Sequence, residues 1–364
     1  MTKKERIYAL IEGKQPDAQP YHFDLTLKMR DRLGEYYQID GEAVEQFIGN
    51  HLLYLSYNAP QGFRGSQKEE QRTGKYELGT FSHDLTQVDE HTFVDEFGVT
   101  WNTEETYNTG DWGMVDHPVK DMQLTGYQFP DGRAPGRFLG IEKIIEKNPD
   151  RFNVVTMIGI FDVAWRVTGL EDLLMGMAMD DTTFVDTMLD QALEFNLGVI
   201  EQIPADLVDG VRFLEDWGQQ KGLIMGLKNW RRFFKPRLRA MYAATKKKGL
   251  AVMSHSCGDN TQLFPDLIEL GVDVSDPLQP EVMDIATIKR KYGKDVVLFG
   301  GLGSQSTIPL GTPQEVVKEA QERLALLSEG GKYLLGPAGS IPTEAPIDNV
   351  VALVEFCKGL IPEA

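Results

Sequence analysis

The chain has only two cysteines, Cys257 and Cys357, far apart in the sequence. That excludes a disulfide scaffold and suits a reducing cytoplasm. Long apolar runs are missing as well: Val154–Ile160 and Val296–Gly301 are among the longest, and both are far too short to span a bilayer. The opening MTKKERIYALIEGKQP carries no apolar stretch followed by a small-residue cleavage site, so no secretory signal is expected. Basic charge is in deficit, with 37 Lys and Arg against 55 Asp and Glu and a net charge of -18. A general affinity for nucleic acid needs clustered cations that displace counterions, and this balance excludes it. Repeats of fixed period and low-complexity tracts are also absent.

What is present is ample apolar material, 41% of 364 residues, and a regular alternation of strand and helix signals. The lead-in is helical: Ile7, Leu10 and Ile11 have helix spacing before Gly13 and Pro16. Pro20–Leu25 reads as a short strand, Thr26–Tyr37 and Glu42–Ile48 as helices, and His51–Ser56 as an apolar strand. Between Asn58 and Phe138 the pattern changes to short aromatic and β-branched runs, at Thr80-Phe81, His91–Val94 and Val99–Trp101, separated by Gly and acidic turns. This predicts a β-rich antiparallel elaboration at 58–138, inserted between early units; a separate small domain is the alternative.

After Gly140 strands are predicted at Asn153–Ile160, Leu207–Asp216, Leu250–His255, Val272–Ser275, Val296–Gly301 and Lys332–Gly336, each followed by a helical stretch, the first of them a long one from Phe161 to about Ile203 with a break near Asp180-Asp181. Strands that alternate with helices pair in parallel through right-handed crossovers. Six or more such units point to an α/β fold of the (β/α)8 TIM-barrel type, a single domain over 1–364. In that architecture the active site lies at the carboxyl ends of the strands.

The strand-end rule selects Asp24, Phe161, Glu215 with Asp216 and Trp217, His255 with Cys257, Gln279 and Gly301. His255 and Cys257, two apart on an extended segment, project to one side, and an imidazole beside a thiolate is half of a zinc site. Adjacent carboxylates face opposite ways, so one of Glu215 and Asp216 enters the mouth as ligand, acid or ion-pair partner; a helix-terminal or surface role is the alternative. Cys357 lies on the apolar face of the final helix and reads as packing. Gly300–Gln305 could offer backbone N–H groups to an anion, although tight turning explains it as well. The one basic cluster, Trp230–Arg239, reads first as a solvated face with acidic neighbours and second as a docking patch.

The ordered set Asp216-Trp217-Gly218-Gln219, His255-Ser256-Cys257-Gly258, Pro265–Ile268, Gly271-Val272-Asp273, Pro277-Leu278-Gln279, Gly300-Gly301 and Pro346–Val350 resembles the uroporphyrinogen decarboxylase superfamily. The resemblance implies a (β/α)8 barrel and one of two chemistries. Decarboxylases of this kind use an Arg-rich N-terminal segment and an Asp that contacts the pyrrole nitrogens; here the region offers only Lys28, Arg30 and Arg32 beside Asp24. Methyltransferases of the superfamily exchange methyl groups with a corrinoid on a separate protein, and several hold zinc through a His-x-Cys pair and a later Cys. His255 and Cys257 match the pair, while the later position reads Gly336-Pro337-Ala338-Gly339-Ser340.

Tyr21–Thr26 and Asp95–Trp101 are similar to members linked with corrinoid-dependent O-demethylation. The resemblance therefore implies a methyltransferase acting on a small methylated compound such as an aryl methyl ether, with a corrinoid-binding protein as partner. The expected metal ligands are His255, Cys257 and Glu215, and the expected catalytic residues Asp216, His255 and Asp24. Trp217, Gln279, Phe161 and Gly301 are the expected substrate contacts, with Trp101 and Trp165 as further walls. A decarboxylase of a tetrapyrrole or smaller acid, and a barrel that binds without turnover, are the alternatives.

Overall fold

A computed structural model describes residues 1–60, 63, 85–106, 112–179 and 182–361. Thirteen strands occur among the described residues: β1 (Leu52–Ser56), β2 (Thr86–Gln87), β3 (Thr92–Val94), β4 (Thr100–Thr106), β5 (Trp112–Asp116), β6 (Phe152–Ile158), β7 (Gly210–Leu214), β8 (Gly218–Gln219), β9 (Gly222–Leu223), β10 (Ala251–His255), β11 (Val274–Leu278), β12 (Val297–Leu302) and β13 (Tyr333–Pro337). Seven of them form one sheet in the order β1-β6-β7-β10-β11-β12-β13, and every neighbouring pair is parallel. The order follows the chain because each crossover includes a helix that packs back on the outer face, the one from β1 to β6 carrying an antiparallel sheet as well.

The sheet curls, and the extended segment Pro20–Thr26 joins its two edges. On one side His22 donates its backbone N–H to Leu335 at 2.9 Å and Ile341 donates to Asp24 at 2.8 Å. On the other, His51 donates to the Tyr21 carbonyl at 3.2 Å. The Asn50 amide completes this second side: its oxygen accepts from the Phe23 N–H at 2.9 Å and its nitrogen donates to the Phe23 carbonyl at 3.0 Å. A side chain thus stands where a strand's backbone would, and the segment's polar groups stay paired. The result is TIM-barrel-like.

Alternating residues of the parallel strands separate two apolar clusters. Leu52, Tyr54, Phe152, Val154, Ala251, Met253, Val274, Val297, Phe299 and Leu334 fill the lumen. Leu53, Leu55, Val155, Met157, Val211, Phe213 and Val252 face the helical shell. The first helix, Lys3–Ile11, starts on a capping box in which Thr2 and Glu5 satisfy each other's backbone N–H groups. Its Ile7 and Leu10 pack against the lumen cluster at the amino end and stopper it.

Between β1 and β6 lies a four-stranded antiparallel sheet in the order β2-β3-β4-β5. Asp95 builds its central turn by accepting from the Phe97 and Val99 N–H groups at 2.9 and 3.0 Å and from the Trp101 indole at 3.0 Å. Phe97 stacks edge-on against Phe195 of the helix Thr182–Gln202 at 4.8 Å, which fastens this sheet to the shell. The Thr80-Phe81 run lies outside the described residues.

The predicted long helix from Phe161 onward divides into Ile160–Thr168, Leu170–Ala178 and Thr182–Gln202. Gly169, at φ +82°, makes the first break. Asp180-Asp181, where the break was expected, lies outside the described residues. The basic cluster is neutralised within the fold: Asp266 pairs with Arg231 and Lys235, Glu269 with Lys235 and Arg239, and Asp186 and Asp190 with Arg237. With Arg231, Lys235, Arg237 and Arg239 paired in this way, the cluster is a solvated ionic face.

Candidate active site

The site is built where β7 and β10 end. Glu215, directly after β7, donates its backbone N–H to the carbonyl of His255, the last residue of β10, at 2.9 Å. This bond holds the two exits side by side. The loops then dock backbone to backbone: a Cβ at Gly218 would occupy the volume of the Cys257 carbonyl, and one at Gly258, itself at φ +80°, would run into Gly218. Only glycine allows that approach. The Ser256 hydroxyl accepts from Trp217 and Gly218 at 3.1 and 3.3 Å, and the Gln279 amide oxygen accepts from Gly258 at 2.8 Å.

Three donors converge there. His255 Nε2 lies 3.6 Å from Cys257 Sγ and 3.8 Å from Asp216 Oδ1. One ligand atom from each of the three residues falls within 4.8 Å of the others. Asp216 is held in place by the Cys257 N–H, which donates to its Oδ1 at 2.9 Å, while its side chain stays half open to solvent. Burial first, and the Asp216 carboxylate second, push the Cys257 thiol above its ordinary pKa despite the opposing pull of His255. A bound divalent cation reverses that balance, because a coordinating thiol is deprotonated.

Beneath these donors the lumen contains a buried ionic layer. Arg212, at the middle of β7, donates Nε to Asp276 at 2.6 Å and Nη2 to Asp24 at 3.0 Å, with its guanidinium 4.6 Å from the Tyr54 ring. His22 Nε2 approaches Asp24 from the other side at 3.0 Å. Burial opposes ionisation of both carboxyls, yet Arg212 overrides it and holds Asp24 and Asp276 below the usual range, helped by His22 at Asp24 and by His255 at Asp276. His255 Nδ1 reaches this layer, 2.9 Å from Asp276 Oδ2. Burial works against a charged imidazole there, but Asp276, with Cys257, keeps the His255 pKa well above its ordinary value in spite of Arg212.

Glu215 takes a different place from the one expected. Its carboxylate turns back to accept from the Ile160 and Phe161 N–H groups, both at 2.7 Å, at the start of the helix Ile160–Thr168. Wholly buried beside Gly159, it is a helix-terminal acceptor and does not join the three donors. Burial first, then Asp162, raise its pKa well above the carboxylate range.

The expected substrate contacts are also spoken for. Trp217 is fully buried edge-on against Trp230 at 5.4 Å, and Phe161 against Phe234 at 5.6 Å. Trp165 donates its indole N–H to Asp162 and Trp101 donates to Asp95. A side chain at Gly301 would point to Leu327 and Arg323 on the outer helix, away from the lumen. Gln279 braces the loop carrying Cys257.

Residues 112–360 match the sequence model of the uroporphyrinogen decarboxylase (URO-D) family. The chain belongs to that family. No match is found among curated proteins. Among solved structures, a methyltransferase from Methanosarcina mazei aligns over 99% of both chains with a TM-score of 0.72 and 19% identity. A B12-independent methionine synthase from Shewanella sp. W3-18-1, in complex with selenomethionine, aligns over 95% of both with a TM-score of 0.51 and 12% identity. At these identities the likeness is one of fold.

Within this URO-D fold the sequence reading missed Arg212, Asp276 and His22. Arg212 had a signal, as a lone cation inside the apolar run Gly210–Leu214. Asp276 directly follows the strand expected at Val272–Ser275, where the same rule that chose His255 applies, and in the structure it lies inside β11. His22 gave none, and its role follows only from the position of Asp24.

Proposed function

We propose that the chain is a (β/α)8 methyltransferase, one domain with 58–138 as a β-rich insertion, in which Pro20–Thr26 serves as the eighth strand. It passes a methyl group between a small methylated compound, such as an aryl methyl ether, and a corrinoid carried by a separate protein. Membership of the URO-D family and the fold shared with a methyltransferase support an enzyme of this superfamily. The observation that carries the reading is the meeting of Asp216, His255 and Cys257 at the mouth.

One nitrogen, one sulfur and one oxygen donor suit zinc, and three protein ligands with a fourth place open is the pattern of a catalytic rather than a structural site. His255 Nε2, Cys257 Sγ and an Asp216 oxygen would hold the ion, the carboxylate standing in for the later Cys of the resemblance. A side chain at Gly336 has no room, because its Cβ would press into the His22 carbonyl and the Phe299 ring. Bound there, zinc supplies a Lewis acid for an oxygen or sulfur at the reacting centre. The protein's part is to orient that centre and to keep the ligand geometry fixed through the ionic layer below. Decarboxylation of a tetrapyrrole is less well served, since the Asp24 carboxylate that would orient the ring is already engaged by Arg212 and His22.

Among the described residues no helix is long and apolar enough to cross a membrane, and both cysteines are free thiols, in keeping with a cytoplasmic protein. Elemental analysis of the purified chain should find about one zinc per molecule, lost in His255→Ala and Cys257→Ser. Incubation with reduced corrinoid protein and a panel of methylated donors should change the cobalt absorbance. No change with any donor, together with conversion of uroporphyrinogen, would reverse the assignment in favour of decarboxylation.

A further inference from the structure

His255 Nδ1 has two neighbours at the same distance. Asp276 Oδ2 lies 2.9 Å away and can only accept; Arg212 Nη2 lies 2.9 Å away and can only donate. The two contacts call for opposite tautomers. A proton on Nδ1 satisfies Asp276 and leaves Nε2, once a metal displaces the proton there, as the nitrogen whose lone pair faces Cys257 and Asp216. A bare Nδ1 accepts from Arg212 instead and puts the proton on Nε2, where it blocks coordination. The choice is set below the imidazole. Arg212 Nη2 is drawn toward Asp24 Oδ2 at 3.0 Å, while Nε binds the very Asp276 oxygen that faces the ring, at 2.6 Å.

We propose that Asp276, braced by Arg212 and Asp24, is the positioning residue that keeps the proton of His255 on Nδ1 and presents Nε2 to a divalent cation. The inference deepens the metal-site reading above and rests on it. A histidine ligand whose second nitrogen donates to a carboxylate has its ring orientation and tautomer fixed, and loss of such a partner costs 10- to 100-fold in metal affinity as an order of magnitude. Strand register supplies the geometry: His255 of β10 lies beside Asp276 of β11 and beside Leu214 of β7, and Arg212 is one lumen layer lower on β7.

The decisive experiment measures zinc affinity by chelator competition and, in the metal-free chain labelled with nitrogen-15 at histidine, the two His255 ring shifts, assigned with His255→Gln. The expected result is a wild-type Nδ1 that bears its proton, zinc bound through Nε2, and zinc affinity about 10- to 100-fold weaker in Asp276→Asn. Cobalt(II) substituted for zinc should show altered ligand-field bands in the same variant. Asp276→Glu, which keeps a carboxylate, should recover part of the loss. If Asp276→Asn does not fold, the wild-type ring shifts and the Asp24→Asn variant decide, the latter moving the Nδ1 signal toward the unprotonated form. Zinc binding by the wild type with unchanged affinity in Asp276→Asn, or a wild-type Nδ1 without a proton, overturns this inference and leaves the metal site standing. A wild-type chain that binds no zinc overturns both.

Discussion

At the scale of single residues, the spacing of His255 and Cys257 was enough to bring them together, because two positions along one strand share a side. The strand-end rule likewise found Asp216, but it could not say which of two adjacent carboxylates enters. Glu215 turned outward because two unpaired N–H groups at a helix start attract a carboxylate more directly than an open mouth does. Arg212 and Asp276, 64 positions apart, meet only through strand register, which no local pattern encodes. Arg212→Leu leaves Asp24 and Asp276 as buried carboxylates without their cation, and unfolding free energy should fall by about 3–5 kcal/mol in denaturant titration. An unchanged midpoint would show that the ionic layer contributes nothing to folding.

At the scale of elements, the alternation after Gly140 was legible almost strand by strand, with no end off by more than three residues. The reason is physical: parallel strands buried on both faces read as short continuous apolar runs between helices of clear periodicity. The first break in the helical region depends on Gly169, whose isolated position looks like tolerated helix interior. The entry to the helix Ile160–Thr168 gives a test of packing. A Cβ at Gly159 would collide with the Glu215 carboxyl, so Gly159→Ala should lower stability by about 1–3 kcal/mol, read from the shift in unfolding midpoint.

Where β1 begins, His51 is fully buried and its imidazole pKa is pushed down to about 3, by burial first and then by Arg6 and Lys3. The unfolded chain binds a proton at this position below about pH 6.5, and the native chain does not until far lower. Stability from this group is therefore intact above that pH and is lost as pH falls toward 3, at a limit of about 1.4 kcal/mol per unit. Urea midpoints of the wild type and His51→Gln between pH 7 and 4.5 should show the variant with the shallower decline.

At the scale of the whole molecule, net charge and the pairing of the basic cluster lead to the same expectation. Because Asp186, Asp190, Asp266 and Glu269 already neutralise Arg231, Lys235, Arg237 and Arg239, a DNA duplex should not be retarded by the protein at physiological salt. Retardation would mean that the cluster opens to solvent. The closure of the sheet was partly legible, since Pro20–Leu25 reads as a strand. Its Asn50 clamp was not, because an amide that substitutes for a neighbouring backbone leaves no periodic trace.

The helix Lys3–Ile11 seals one end of the lumen with Ile7 and Leu10, and this gives the barrel the traffic rules of a blind alley. In the proposed site, a molecule that enters past Asp216 also leaves past it. In the proposed reaction the methylated compound and the corrinoid protein then share one doorway, so a large carrier seated over the mouth traps the small molecule inside. Such a catalyst loads its small guest first and receives the carrier second, and a great excess of carrier should slow turnover instead of saturating it.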